Sequence, residues 1–575
     1  MTFSEKGEPL LPAPRAAAPK SRWRSVGALL LHAIAFALLL RISYGVYERL
    51  AVGEDPSASR AKCPQVEPLV PGQQSPALSE MEEHLRSDKF RNETIERMAG
   101  AVRIPTQSYD DLGPIGEDPR WDTMYDFADY LKSTFPLVHG AVTLEKVNTH
   151  GLLYTWKGTD ASLLPTVLMA HQDVVPVAEA TVDQWTHPPY SGFYDGKYIW
   201  GRGSSDCKNN LIGILEAVEL LLDAGFEPKR TVILSFGFDE EVSGLQGAGH
   251  LAKALIDRYG KDGAAIIIDE GSGIASAWGS TFALPGVAEK GYIDVEIVVR
   301  MPGGHSSIPP AHSGIGVASE LVALVESHPY EPHFHAENPY LGLLECGNAY
   351  GPEFPASLRK HLPWKERSCP AKKDKLALEA AKQGDATKYL FTTSLAVDII
   401  NGGVKSNALP ERTSVLVNHR VNVGDHATEV QAKMAHLARA VAAKHNLTLQ
   451  AFTDEPEVPS SIKLSALRIL EPAPVTPTAV DGAASPYGVL SGTTRALYGE
   501  SLLVAPALMT GNTDTRYYWD LTRHIFRYAP GYDPEQGFGL GGIHTVNEKV
   551  SVQAHISGVR WYSMFIRNMD EADLV

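Results

Sequence analysis

Thr166-Val-Leu-Met-Ala-His171-Gln-Asp173 is an apolar run that stops abruptly on residues suited to chemistry. Two later stretches repeat the form. Thr231-Val-Ile-Leu-Ser-Phe236 leads into Gly-Phe-Asp-Glu240-Glu241, and Ala264-Ala-Ile-Ile-Ile268 leads into Asp269. Short continuous apolar runs fit strands covered on both faces, as in a mostly parallel α/β sheet. Between the first two runs, apolar residues at 211, 212, 214, 215, 218, 221 and 222 fall on one helical face. Alternating strand and helix predicts a doubly wound sheet, whose sites form at the carboxyl ends of its strands. The residues just past the three runs are the ones that chemistry would use.

From about Val287 the texture changes. Tyr292-Ile-Asp-Val-Glu-Ile-Val-Val299 alternates polar and apolar residues, as a half-exposed strand does. Residues 316–326 read as a helix, Thr413 to Arg420 as a strand and Ala427 to Lys444 as a second helix. A loop-rich insert near residues 330–387 interrupts them. After about Glu457 the α/β texture returns and the chain ends in a long helix, with Thr545-Val-Asn-Glu548 as its capping box. The α/β domain is therefore expected in two parts, 85–286 and 457–575, around an inserted α+β domain at 287–456.

Length and composition agree with several structural units: 575 residues, 44% hydrophobic and 21% charged. A formal net charge of −16, without clustered Lys and Arg, argues against nucleic acid as a partner. Of four cysteines, Cys63 lies in a linker and Cys207 beside a candidate ligand. Cys346 and Cys369 are either bridged, in an oxidising compartment, or left as thiols. No Cys-x-x-Cys pair is present to hold zinc.

Val26 to Leu40 is apolar apart from His32, and Tyr44 and Tyr47 extend the segment toward an interface. The expectation is a cytosolic tail (1–24), a transmembrane signal anchor (25–47) and a linker (48–84). A cleaved signal peptide, and hence a secreted body, is the alternative. The sequons at Asn92 and Asn446 fit a lumenal body.

His171 and Asp173 share one side of an extended segment, so Asp173 is placed to orient a metal-bound imidazole. Asp206, in Trp200-Gly-Arg-Gly-Ser-Ser-Asp206, reads alone as a helix N-cap; as a ligand it is a carboxylate bridging two cations. Glu240 and Glu241 repel each other unless a cation or proton offsets them. One suits a metal and the other a general base. Asp269 and His544 complete the set.

These motifs, with MPGGHSS, SNALPE and GNTDTRYYW, resemble the metal-dependent amidohydrolases that include aminoacylase-1, carboxypeptidase G and carnosinase. Within them the likeness is to the membrane-anchored yeast vacuolar Gly-Xaa carboxypeptidase branch. The resemblance implies two Zn²⁺, with Co²⁺ or Mn²⁺ admitted. One ion is held by His171, Asp206 and Asp269, the other by Asp206, Glu241 and His544. Glu240 is then the base and Asp173 the orienting residue. His305 becomes the oxyanion donor, with Asn407, Arg420 and Arg516 in the substrate pocket and Arg516 on the free carboxylate. A cis peptide is expected after Asp206, and the inserted domain at 287–456 becomes a lid that forms a homodimer or is completed within one chain. The implied activity is release of a C-terminal amino acid from a small peptide, in a vacuole-like lumen. Cleavage or synthesis of N-fatty-acyl amino acids is a variant, and a membrane-tethered binding protein without catalysis is the remote alternative.

Overall fold

Side chains alternate across a strand, so a run that is apolar at every position needs cover on both faces. The computed structural model describes residues 56–366, 372–480, 484–535 and 540–574. The chain first lays down β1 (Thr143–Val147), β2 (Gly151–Trp156), β3 (Thr166–His171), β4 (Val232–Gly237), β5 (Ile266–Ser272) and β6 (Gly286–Glu289). The insert follows as β7 (Gly291–Arg300), β8 (Gly304–His305), β9 (Ser394–Gly402), β10 (Ala408–Leu409), β11 (Arg412–Val421), β12 (Thr448–Ala451) and β13 (Ser461–Leu470). Finally β14 (Ala507–Met509) and β15 (Ile525–Tyr528) rejoin the first sheet.

The large sheet has the order β1-β2-β4-β3-β5-β15-β6-β14. Its centre, β4-β3-β5-β15, is parallel as expected. The whole sheet is mixed rather than mostly parallel. Residues 148–150 link β1 to β2 too tightly for a crossover, so these strands form a hairpin. β2 also meets β4 antiparallel, as β15 meets β6. Every residue of β3 and β4 is buried. Leu168, Leu234 and Ile268 pack with helices α1 (Asp88–Val102) and α2 (Lys208–Asp223), whereas Val167, Ile233 and Ile267 pack with α3 (Ala248–Tyr259).

The inserted sheet has the order β9-β11-β7-β13-β12, antiparallel except for β12 beside β13. One face is covered by α4 (Gly314–Glu326) and, further on, by a helix at Ala427–Lys444. The stretch expected to be loop-rich holds α5 (Tyr340–Tyr350) and short helices at Ala356–Arg359 and Lys375–Ala380. Leu344 and Leu376 of these helices form an apolar cluster with Phe354, Phe391 and Leu503.

Cys63 is bonded to Cys346, 283 residues away. The Cys346–Cys369 pairing is thereby overturned, and Cys369 lies outside the described residues. From Cys63 onward the expected linker also packs on the body. The Leu69 amide donates to the Gly492 carbonyl, and Leu78 and Met81 of the helix Pro76–His84 enter the main core. The C-terminal helix, Val552–Glu571, starts later than expected and is capped by Ser551, whose hydroxyl accepts from the Ala554 amide at 3.3 Å. Lys549–Ser551 pairs instead with Tyr198–Trp200, so Glu548 cannot serve a capping box. The tail at 1–24 and the anchor at 25–47 lie outside the described residues. Among the described residues no helix is long and apolar enough to cross a membrane.

Because the disulfide closes so long a loop, Cys346→Ala should lower stability by about 2–5 kcal/mol, read by thermal or denaturant unfolding. Peptide mapping without reductant should recover Cys63 joined to Cys346; a Cys346–Cys369 peptide would contradict the fold.

Candidate metal centre

β3, β4 and β5 end side by side, so residues just beyond them converge. His171 closes β3 with its ring buried. Its Nδ1 lies 2.9 Å from the Asp173 carbonyl oxygen and 3.3 Å from Asp173 Oδ1. Its Nε2 faces Asp206 Oδ1 at 3.2 Å and Glu270 Oε1 at 3.4 Å. From the opposite side His544 Nε2 approaches Asp206 Oδ2 at 2.9 Å and Glu241 Oε2 at 3.1 Å. The two oxygens of Asp206 thus address two different imidazoles, as a bridging carboxylate must.

The turn carrying Asp206 depends on its glycines. Gly201 and Gly203 both have positive φ, at 145° and 85°. A Cβ on Gly201 would sit 2.4 Å from Val102 Cγ1, and one on Gly203 would sit 2.5 Å from Val174 Cγ1. Buried Glu548 secures the turn. Its Oε1 accepts from the amides of Ser205 at 2.9 Å and Asp206 at 3.2 Å, and its Oε2 pairs with Arg202. Asp206 does not cap α2; Cys207 occupies that position without a side-chain cap bond. The Asp206–Cys207 peptide is cis, as the resemblance implied.

Asp173 ties this arrangement to the acidic turn after β4. It accepts from the Ser108 hydroxyl at 2.6 Å and from the amides of Glu240 and Glu241, each at 3.1 Å. One carboxylate thereby orients an imidazole and fixes the backbone bearing Glu240 and Glu241. Glu241 Oε1 accepts in turn from the Val175 amide at 3.2 Å.

Beside His171 the structure places a carboxylate other than the one expected. Neighbouring strand residues point to opposite faces, and on β5 it is Glu270, not Asp269, that faces His171. Asp269 is buried, and its Oδ2 has no hydrogen-bond partner among the described residues. Glu270 and Glu548 were missed in sequence: the first adjoins the residue chosen, and the second hid in an apparent capping box. Ser108 carried no signal at all.

Burial pushes the carboxyl of Glu270 up to about 8 and that of Asp269 up to about 6. Glu240 is driven well above the ordinary carboxylate range, by burial and then by the charge of Glu270. Asp206 goes the other way: burial acts to raise it, but His171 and His544 hold it far below normal. Burial also pushes the Cys207 thiol well above its ordinary value. Four carboxylates converging on two imidazoles are mutually repulsive unless cations stand among them. Nitrogen and oxygen donors around a bridging carboxylate fit a pair of divalent ions.

Of the expected pocket residues, Arg516 is near. Its Nη2 stands 3.7 Å from Glu240 Oε1, and its Nε donates to the Thr513 carbonyl. Arg420 lies over the Tyr292 ring at 4.8 Å and donates to Asn512 Oδ1 at 2.8 Å. His305 and Asn407 are brought together, since the Ser306 amide donates to the Asn407 carbonyl on the β8–β10 ribbon. Both are exposed, and His305 bonds to Ser307 rather than to the cluster.

Residues 167–568 match Peptidase family M20/M25/M40. The chain belongs to this family. Carboxypeptidase S of Saccharomyces cerevisiae is 41% identical over 529 residues, covering 89% of each chain. Human N-fatty-acyl-amino acid synthase/hydrolase PM20D1 is 32% identical over 481 residues, covering 83% of this chain and 87% of its own. Human carnosine dipeptidase 1 shares the fold of this M20 peptidase, with a TM-score of 0.57 at 15% identity over 87% of this chain and 100% of its own.

Elemental analysis should find that Glu270→Ala loses divalent metal relative to the unaltered protein, whereas Asp269→Asn retains it. The reverse result would restore Asp269 as the ligand.

Proposed function

We propose that this chain is a di-zinc metallo-exopeptidase that hydrolyses the amide bond of small peptides, Gly-Xaa dipeptides among them, to free a C-terminal amino acid. The observation that carries this reading is Asp206 between the two imidazoles, with Glu240 close by and beside Arg516. The likeness to carboxypeptidase S supports it. His171, Asp206 and Glu270 would hold one zinc, and Asp206, Glu241 and His544 the other; the same donors admit Co²⁺ or Mn²⁺. When bound, the ions supply a more acidic water and a polarised amide carbonyl. Glu240 takes a proton from the attacking water and returns it to the leaving nitrogen as the C–N bond breaks. Asp173 keeps His171 and the Glu240–Glu241 turn in register. Arg516 presents a planar fork to the substrate's free carboxylate, with Arg420 beyond it.

His305 as oxyanion donor, with Asn407, needs the β8–β10 ribbon to be carried to the centre by closure or by a second copy of the chain. Exposed Ile399 and Ile400 on edge strand β9 favour a homodimer through the insert. For the body we retain the reading of a single-pass anchor and a vacuole-like lumen. The Cys63–Cys346 disulfide and exposed Asn92 and Asn446 are consistent with an oxidising, glycosylating compartment. The relatives named as N-fatty-acyl-amino acid synthase/hydrolase favour a second reading, since that substrate offers the same amide and free carboxylate.

Purified, zinc-loaded protein assayed on N-blocked dipeptides and N-fatty-acyl amino acids decides between the two, and failure to cleave either sinks both. Glu240→Gln should keep its metal but lose turnover by roughly 10²–10⁴-fold. Arg516→Ala should raise KM for substrates with a free carboxylate and leave their C-terminal amides little changed; an equal loss on both would remove that role.

A further inference from the structure

Away from the metal centre, His333, His335 and Asp425 form a second cluster of donor atoms. His333-Phe-His335 precedes α5 in an extended segment, so both imidazoles share a side. Phe334 is buried on Phe391 and Tyr340, and its amide donates to Asp374 Oδ2 at 3.0 Å, which pins the segment. Asp425 lies in the turn after β11. Its Oδ1 is 2.8 Å from His333 Nε2 and 2.7 Å from His335 Nε2, and its Oδ2 accepts from the Thr393 hydroxyl at 2.8 Å.

The proton arrangement sets the problem. His333 Nδ1 lies 3.0 Å from the Glu331 carbonyl oxygen, which can only accept, so Nδ1 carries a proton. In the neutral ring, Nε2 then presents a lone pair to a carboxylate oxygen. The facing nitrogens of His333 and His335 are 3.1 Å apart, and one proton at most fits between them. A cation among the three atoms removes both conflicts. A carbonyl on the remote ring nitrogen is also the usual support of a metal-bound histidine. Tetrahedral zinc at its ordinary bond lengths sets its donors about 3.3 Å apart, so the triangle needs only a small expansion. Gly424, at φ 95°, leaves room for the ring: a Cβ there would lie 2.3 Å from His335 Cγ. The cluster borders a cavity of about 530 Å³ that Glu337, Glu366 and Glu471 also line, with space for water.

We propose that His333, His335 and Asp425 bind a further divalent cation, zinc by donor type, with water completing its shell. The ion fastens the α5 segment to the root of the insert. Val423, two residues before Asp425, packs with Ala288 and Leu508 of the catalytic sheet. Glu471 begins the stretch that returns to that sheet, where the Ala473 and Thr476 amides donate to the carbonyls of Glu289 and Val287. The site thus stands where insert and catalytic sheet join.

The test uses the full chain, equilibrated with buffered micromolar Zn²⁺, freed of excess by gel filtration and analysed for zinc per chain. Unaltered protein should carry one equivalent more than His335→Gln or Asp425→Asn, and zinc should raise its melting temperature more than theirs. Because the ligands of the catalytic pair remain in both variants, failure of the proposed activity would not alter this comparison. Equal zinc in folded variant and unaltered protein overturns the proposal. If neither variant folds, the unaltered chain decides alone: a third zinc supports the site, and only two overturn it.

Discussion

Acidic side chains crowded where three buried strands end are the constraint on which the rest of the catalytic half depends. Asp206, Glu240, Glu241 and Glu270 meet in a space that burial makes hostile to their charge, with His171, His544 and, beside Glu240, Arg516 set against them. Such a cluster is costly for an empty protein and appropriate for one that holds cations. The parallel arrangement of β4, β3 and β5 creates the crowding, since it brings all three carboxyl ends to one edge.

Holding the cluster in register falls to groups that need not touch an ion. Asp173 spends one oxygen on His171 and the Glu240 amide and the other on Ser108 and the Glu241 amide. Glu548 does the corresponding work for the glycine-rich turn, from the far end of the chain. Each is a buried carboxylate satisfied by backbone amides, which makes it a rigid support for what it orients. The Lys549–Ser551 strand pairs with Tyr198–Trp200, next to the glycine-rich turn, and it brings His544 to the site.

The insert is built on different terms. Its sheet covers one face with two helices and leaves Ile399, Ile400, Leu467 and Ile469 exposed. Between its strands, the α5 cluster is stitched to the start of the body through Cys63–Cys346. His333, His335 and Asp425 lie where this stitched region meets the root of the insert, so local order there bears on how the insert is held.

The α/β class, the central strands, the helix at Ala427–Lys444 and most of the site were legible in the sequence. Unbroken apolar runs, period-two alternation and helical spacing are local, and strand-end placement follows from them. The choice between Asp269 and Glu270 was not legible, because adjacent residues of a strand end differ only in the face they take. Nor was the Cys63 partner, which depends on how α5 folds back. Glu548 looked like a helix cap until Lys549–Ser551 was seen to be a strand. The sequence by itself determined which residue types gather at the sheet's edge, since each apolar run dictates where its own strand ends. Only the tertiary structure decided which oxygens and nitrogens face one another, because those pairings join residues hundreds of positions apart.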